Sequence, residues 1–93
     1  MTSFRPASVM VRSGETVEWR NTSVIGHTVT ADAERVDDPT SVEVPDDAER
    51  FHSGDIPAGE IYRRTFTEPG TYRYVCLPHE HAGMIGTIVV SEG

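Results

Sequence analysis

Short runs in which apolar and polar residues alternate recur along the chain, and turn residues separate them about every ten positions. The clearest run begins at Thr16. In an extended conformation Val17 and Trp19 share one face, while Thr16, Glu18 and Arg20 share the other. This alternation is typical of a β-strand with one face buried.

The same reading predicts strands along most of the chain, because no segment has a convincing helical period. Glu68-Pro69-Gly70 is one of the turn signals, with proline at its second position. The predicted strands cover residues 9–11, 16–20, 27–31, 60–67, 71–76 and 85–90, and ordered structure is expected to resume at residues 50–52. Many short strands with regular turns predict a single all-β domain, an antiparallel β-sandwich or barrel, without internal repeats.

Residues 32–49 depart from this pattern. They carry eight acidic residues, a single arginine at Arg35, and prolines at positions 39 and 45. We interpret the segment as a long surface connection that includes at most a turn of helix. It is either a solvated loop or an acidic docking surface for a basic partner.

The composition narrows the function classes. The chain has 93 residues, with 15 acidic against 8 basic residues, and a formal net charge of −7. A nucleic-acid-binding protein would need a basic surface to meet phosphates, so that class is disfavoured. All eight basic residues are arginine, and an acid-rich surface without lysine is typical of salt-adapted proteins.

The single cysteine cannot form an internal disulfide, and no apolar run is long enough to span a bilayer. The first residues lack the basic start and apolar stretch of a signal peptide. We therefore expect any native leader or anchor to lie outside this sequence.

The chemistry of the chain concentrates at the only cysteine. Cys76 is followed by His79 three residues later and by Met84 five residues after that. Thiolate, imidazole and thioether are the ligands that copper prefers, and two histidines, one cysteine and a distant axial methionine define a blue-copper electron-transfer site. His27, at the start of a predicted strand, is the best candidate for the second histidine.

Each of these residues also has an ordinary structural interpretation. A lone cysteine is usually a small buried apolar residue, and Met84 alone would more often fill a core, as we expect of Met10. His81 competes with His79 for the imidazole role, but the spacing to Cys76 and Met84 favours His79. His52 is interpreted as a structural residue at the surface or in a loop.

Several longer motifs accompany the metal-binding pattern. They are FRP at 4–6, GETVEW at 14–19, GHTV at 26–29, FHSG at 51–54, IPAGE at 56–60, FTEPGTY at 66–72 and CLPH at 76–79. Through them nearly the whole chain resembles the plastocyanin-like cupredoxins, and most of all the archaeal halocyanins. The loop from Cys76 to Met84 has the length found in plastocyanins and is longer than that of amicyanins.

The resemblance implies a Greek-key β-sandwich that binds one copper ion through His27, Cys76, His79 and Met84. It further implies a one-electron transfer protein that cycles between Cu(II) and Cu(I), with redox partner proteins docking near His79. The expected location is extracytoplasmic, for a monomer that can associate peripherally with a membrane.

Two other function classes fit the pattern less well. A copper carrier or storage module without a redox role is the main alternative. An enzyme is disfavoured, because no residue that would orient a Cys-His pair is recognisable and no second copper site accompanies the first.

The chain departs from the family pattern in three places. The first strand is expected to be truncated or very short, and Val75 replaces the tyrosine that often precedes the copper cysteine, so no remote electron port is expected. Gly26 stands where plastocyanins often have proline, and its carbonyl is a candidate for weak axial contact with copper opposite Met84. Five apolar residues are predicted to surround the docking site: Val24, Ile25, Pro78, Ala82 and Ile85.

Overall fold

Strands account for most of the regular structure in the computed structural model, which describes residues 7–22, 24–36, 38–77 and 85–92. The strands are β1 (Ser8–Arg12), β2 (Thr16–Arg20), β3 (Thr30–Ala31), β4 (Phe51–His52), β5 (Ile61–Thr65), β6 (Gly70–Val75) and β7 (Ile85–Ser91), and a 3-10 turn covers Pro39–Ser41. Within these ranges no helix is both long and apolar enough to cross a membrane.

The strands form two sheets. One has five strands in the order β1-β7-β6-β3-β4, and the other pairs β2 with β5. β1 runs parallel to β7, and the other paired strands are antiparallel. The prediction of an all-β sandwich is therefore confirmed.

Aromatic rings fill the space between the sheets around Trp19. The ring of Trp19 lies 5.5 Å from those of Tyr62 and Tyr74 and 6.1 Å from that of Phe66, measured between centroids. The side chain of Tyr74 is almost completely buried, and burial raises the pKa of its hydroxyl. The alternation predicted for β2 is confirmed, since Trp19 is buried and its polar neighbours are exposed.

Two expectations about individual positions need correction. Met10 is 76% exposed and does not fill the core, because β1 turns Val9 and Val11 inward and Met10 therefore points outward. The strand predicted over 27–31 is also shorter than expected. Only Thr30–Ala31 belongs to β3, and the Val29 amide donates to the Ser53 hydroxyl rather than to a neighbouring backbone.

The acidic segment is a surface connection, as predicted, and its turn of helix is the 3-10 turn. Asp38 caps this turn by accepting hydrogen bonds from the Thr40 amide and hydroxyl, which lower the pKa of its carboxyl. Backbone hydrogen bonds connect the segment to β6: Glu43 N donates to Arg73 O at 3.1 Å, and Arg73 N donates to Glu43 O at 2.8 Å. Exposed ion pairs accompany these bonds, with Arg50 3.4 Å from Asp32 and Arg73 3.8 Å from Glu43. The segment is thus an ordered part of the surface.

Candidate metal centre

The fold brings together His27 and Cys76, which are 49 residues apart in the sequence. His27 is fixed by two backbone hydrogen bonds to Ile56, His27 N to Ile56 O at 3.2 Å and Ile56 N to His27 O at 2.7 Å. Cys76 follows β6 directly, and Val75 before it is paired with both Thr30 and Ile85. The Nδ1 atom of His27 consequently lies 3.4 Å from the sulfur of Cys76.

This pair fits two ligands of one metal ion. Nitrogen and sulfur ligands at about 2.0 and 2.3 Å from one ion are roughly 3 to 4 Å apart. Cys76 is completely buried and His27 is 6% exposed, so both donors are shielded from solvent. Among the residues that the structure describes, no group of three or more His, Cys, Asp or Glu side chains could hold a metal, so the pair needs ligands from elsewhere.

The other predicted ligands, His79 and Met84, lie outside the described residues. The same is true of His81, the competitor of His79. The structure therefore brings together two of the four predicted ligands, and the complete set remains a prediction.

Thr28 connects the two ligand-bearing segments. Its backbone amide donates to the sulfur of Cys76 at 3.4 Å, and its hydroxyl oxygen accepts a hydrogen bond from the Leu77 amide at 2.9 Å. Sequence reasoning missed this role, although the position of Thr28 directly after His27 was a signal. Hydrogen bonds to a ligating sulfur tune the electronic properties of such a site.

Asn21 is a second residue that sequence reasoning missed. It is buried, and its amide nitrogen donates to the carbonyls of Ile25 and Ile56, both at 2.7 Å. These bonds hold the chain just before His27 against the residue with which His27 pairs. The position of the histidine is thus set from both sides.

His52 lies in strand β4 and is half-buried, where a surface or loop position was expected. Its Nδ1 atom is 2.9 Å from the hydroxyl of Thr30, and Thr30 donates in turn to the Thr28 hydroxyl at 3.0 Å. Burial is the main cause that lowers the pKa of His52 below its ordinary value, and the charge of Arg35 lowers it further.

Gly26 lies close to the side chain of Asp55. A Cβ atom at this position would meet the carboxylate of Asp55, an exposed side chain that can move away. The contact between the Gly26 carbonyl and copper remains a prediction.

Three of the apolar residues predicted to surround the docking site are exposed. Val24 is 93% exposed, Ile25 46% and Ile85 39%. Ile25 lies two residues before His27, and Ile85 is paired with Val75, which precedes Cys76. Pro78 and Ala82 lie outside the described residues.

Comparison with known proteins agrees with this site. Residues 1–91 match the family of copper-binding proteins described as plastocyanin/azurin. The chain is 37% identical to plastocyanin from Scenedesmus fuscus over 94% of its own length and 85% of that protein, and 37% identical to plastocyanin from Sambucus nigra over 96% and 88%. It spans about half, 54%, of the chloroplastic plastocyanin of Oryza sativa subsp. indica, with 35% identity.

Solved structures of amicyanin share the fold. A reduced Cu(I) variant has a TM-score of 0.74 at 30% identity, covering 96% of this chain and 73% of amicyanin. An oxidised variant has a TM-score of 0.73 at 28% identity, covering 97% and 74%.

A buried His-Cys pair just beyond the end of β6, in a chain with these relatives, defines a cupredoxin with a copper cofactor. The chain belongs to the plastocyanin/azurin family of copper-binding proteins. The predicted family and the predicted copper cofactor are thereby confirmed. The special closeness to halocyanins stays a prediction.

Proposed function

We propose that this protein is a one-electron carrier that holds one copper ion through His27, Cys76, His79 and Met84. The observation that carries the proposal is the 3.4 Å separation of His27 Nδ1 and Cys76 Sγ in a buried site. Copper bound there supplies a couple between Cu(II) and Cu(I), with a cysteine thiolate as its strongly coupled ligand.

The protein residues suit repeated electron transfer because they are fixed in place. His27 is held by its backbone bonds to Ile56, and the Cys76 sulfur accepts the Thr28 amide. A carrier benefits from such anchoring, since its ligands need to rearrange little between the two oxidation states. The related amicyanins have been solved in both reduced and oxidised forms, which supports a redox role.

Electrons would pass through His79, and redox partner proteins would dock on the apolar surface beside it. The exposure of Val24, Ile25 and Ile85 supports this proposal, because large exposed apolar residues commonly mark interaction sites. We further propose a halocyanin-like monomer at an extracytoplasmic location, with peripheral membrane association and without enzymatic activity. Val75 gives no tyrosine for a second electron port.

The first test is the visible spectrum of the purified protein after addition of Cu(II), measured beside Cys76→Ser. We expect an intense blue absorption that ascorbate or ferrocyanide removes and that Cys76→Ser lacks. Met10→Ser is the matched control, because it alters an exposed sulfur-containing side chain and should keep the colour.

A colourless protein that binds Cu(II) weakly and independently of Cys76 would contradict electron transfer. A copper carrier or storage module would then be the better conclusion, and it would exchange copper reversibly.

A further inference from the structure

A continuous series of hydrogen bonds joins His52 to the segment that holds Cys76. His52 Nδ1 is 2.9 Å from Thr30 Oγ1, and Thr30 Oγ1 donates to Thr28 Oγ1 at 3.0 Å. Thr28 Oγ1 also accepts the Leu77 amide at 2.9 Å, and the Thr28 amide donates to the Cys76 sulfur at 3.4 Å. Thr28 and Thr30 are buried, so solvent competes little for these bonds.

The direction of these bonds determines which ring nitrogen of His52 carries a hydrogen. Thr30 uses its single hydroxyl hydrogen on Thr28, so it can only accept from His52. His52 therefore carries hydrogen on Nδ1, and Nε2 is the nitrogen that gains or loses a proton. Protonation at Nε2 leaves every bond of the series in place and adds a positive charge at its end, which strengthens the donor.

Two charged residues on the segment after β3 act on this histidine. The guanidinium of Arg35 disfavours the protonated ring, and the carboxylate of Asp32 favours it. Asp32 is itself paired with Arg35 and with Arg50, both at 3.4 Å, and Arg50 lies 3.1 Å from Glu34. Burial is the largest cause and Arg35 adds to it, so the pKa of His52 is lowered despite the opposing charge of Asp32, and the ring gains its charge in acid.

We propose that His52 and Thr30 are positioning residues of the copper site, which act through Thr28 so that protonation of His52 raises the reduction potential of the copper. This inference rests on the proposed function and deepens it. No contact between His52 and a metal ligand is required, because Thr28 carries both the bond to Thr30 and the bond to the sulfur.

The sign follows from charge. A positive charge on His52 favours Cu(I), the less positive oxidation state, so the potential rises as the pH falls through the pKa of His52. By linkage, reduction of copper must raise the proton affinity of His52 by the same factor. Carried through this series of hydrogen bonds, the charge should change this affinity about two- to threefold, which corresponds to about 20–30 mV at 59 mV per tenfold for one electron.

The experiment measures the reduction potential of the copper-loaded protein across the acid range. It compares the natural chain with His52→Gln, whose amide can still donate to Thr30 but does not titrate. Subtracting the His52→Gln curve removes the contributions that the other titrating groups make to the potential. The remaining difference should be a single step of the expected size, with the higher potential on the acid side.

Two further variants test the path. Thr30→Val removes the hydroxyl while keeping the shape of the side chain, and should reduce the step by at least half. Thr30→Ser keeps the hydroxyl and should show the full step in reduction potential. NMR titration gives the pKa of His52 in the reduced natural protein and needs no variant. This pKa should coincide with the pH at which the reduction potential begins to rise on acidification, because the reduced form titrates there.

Identical pH curves for the natural chain and His52→Gln would overturn the inference while a blue, reducible protein left the proposed function intact. A full step in Thr30→Val would also overturn it, since the charge would then act directly through space. A protein without a thiolate-copper band would instead refute the proposed function.

Discussion

At the scale of single residues, Thr28 decides how the two ligand-bearing segments are joined. Its side-chain oxygen accepts from the Leu77 amide and from the Thr30 hydroxyl, and its own amide donates to the Cys76 sulfur. Removing the hydroxyl would leave two donors in a poorly solvated place without an acceptor. An unsatisfied buried donor costs about 1–3 kcal/mol.

Thr28→Val should therefore lower the free energy of unfolding of the copper-free protein by about 1–3 kcal/mol. Thr28→Ser is the control, because it keeps the oxygen and loses only a methyl group, worth about 0.8 kcal/mol. Urea unfolding of both variants and of the natural chain measures these free energies. Equal losses in the two variants would show that the hydroxyl contributes nothing beyond its packing.

At the scale of elements, the packing of β6 against β7 depends on a missing side chain. Gly86 pairs with Tyr74 across these strands, and a Cβ atom on it would collide with the buried Tyr74 ring. Gly26 presents the opposite situation, since its Cβ would meet the carboxylate of the exposed residue Asp55. Neither glycine has a positive φ, so backbone strain does not separate the two sites.

We expect Gly86→Ala to destabilise the fold by about 1–3 kcal/mol, the usual cost of overpacking a closely packed core. Gly26→Ala should cost less, because a short exposed side chain can rotate away. Thermal or urea unfolding of the two variants compares them directly. A larger loss in Gly26→Ala would mean that Asp55 is held firmly and that its contact is structural.

At the scale of the whole molecule, charge and exposed apolar surface govern behaviour in solution. The net charge of −7 produces self-repulsion in the folded state, which dissolved salt screens. The ion pairs of the described residues involve substantially exposed arginines, and such pairs contribute little. Screening should therefore relieve more repulsion than it removes attraction.

The thermal midpoint should consequently rise as sodium chloride increases from low to about molar concentration, where the screening length falls to about 3 Å. A variant with Asp46→Asn and Asp47→Asn, two exposed positions in the acidic segment, should gain less from salt. Calorimetry of both proteins tests the expectation. A midpoint that falls with salt would show that attractive ion pairs dominate.

The exposed apolar surface leads to a separate prediction about the encounter of two copies of the protein. Val24→Asp should slow electron self-exchange between oxidised and reduced protein several-fold, because two equally charged docking surfaces would then face each other. Met10→Asp adds the same charge to an equally apolar residue on β1, at the opposite edge of the five-stranded sheet from β3 and β4, and should have a smaller effect. NMR line broadening in mixtures of the two oxidation states measures the rate. Equal slowing in both variants would attribute the effect to net charge alone.

Much of the strand pattern and of the ligand chemistry was predictable because it depends on residues that are close together in the sequence. The alternation in Thr16–Arg20 determines which face of β2 is buried, and the turn residues determine where most strands end. The spacing of Cys76, His79 and Met84 indicates copper chemistry without any knowledge of the fold. The family and its cofactor follow from the same short-range patterns.

Other features required the tertiary structure because they depend on contacts between distant segments. The exposure of Met10 depends on which way β1 faces when it pairs with β7, and nothing in its immediate sequence specifies that orientation. The His27–Cys76 contact spans 49 residues, and the Thr30–His52 bond spans 22. The sequence thus determined the ligand types and the strand pattern, while the pairing of β3 with β4 and β6 decided which threonine and which histidine are linked by hydrogen bonds to Thr28, beside the sulfur.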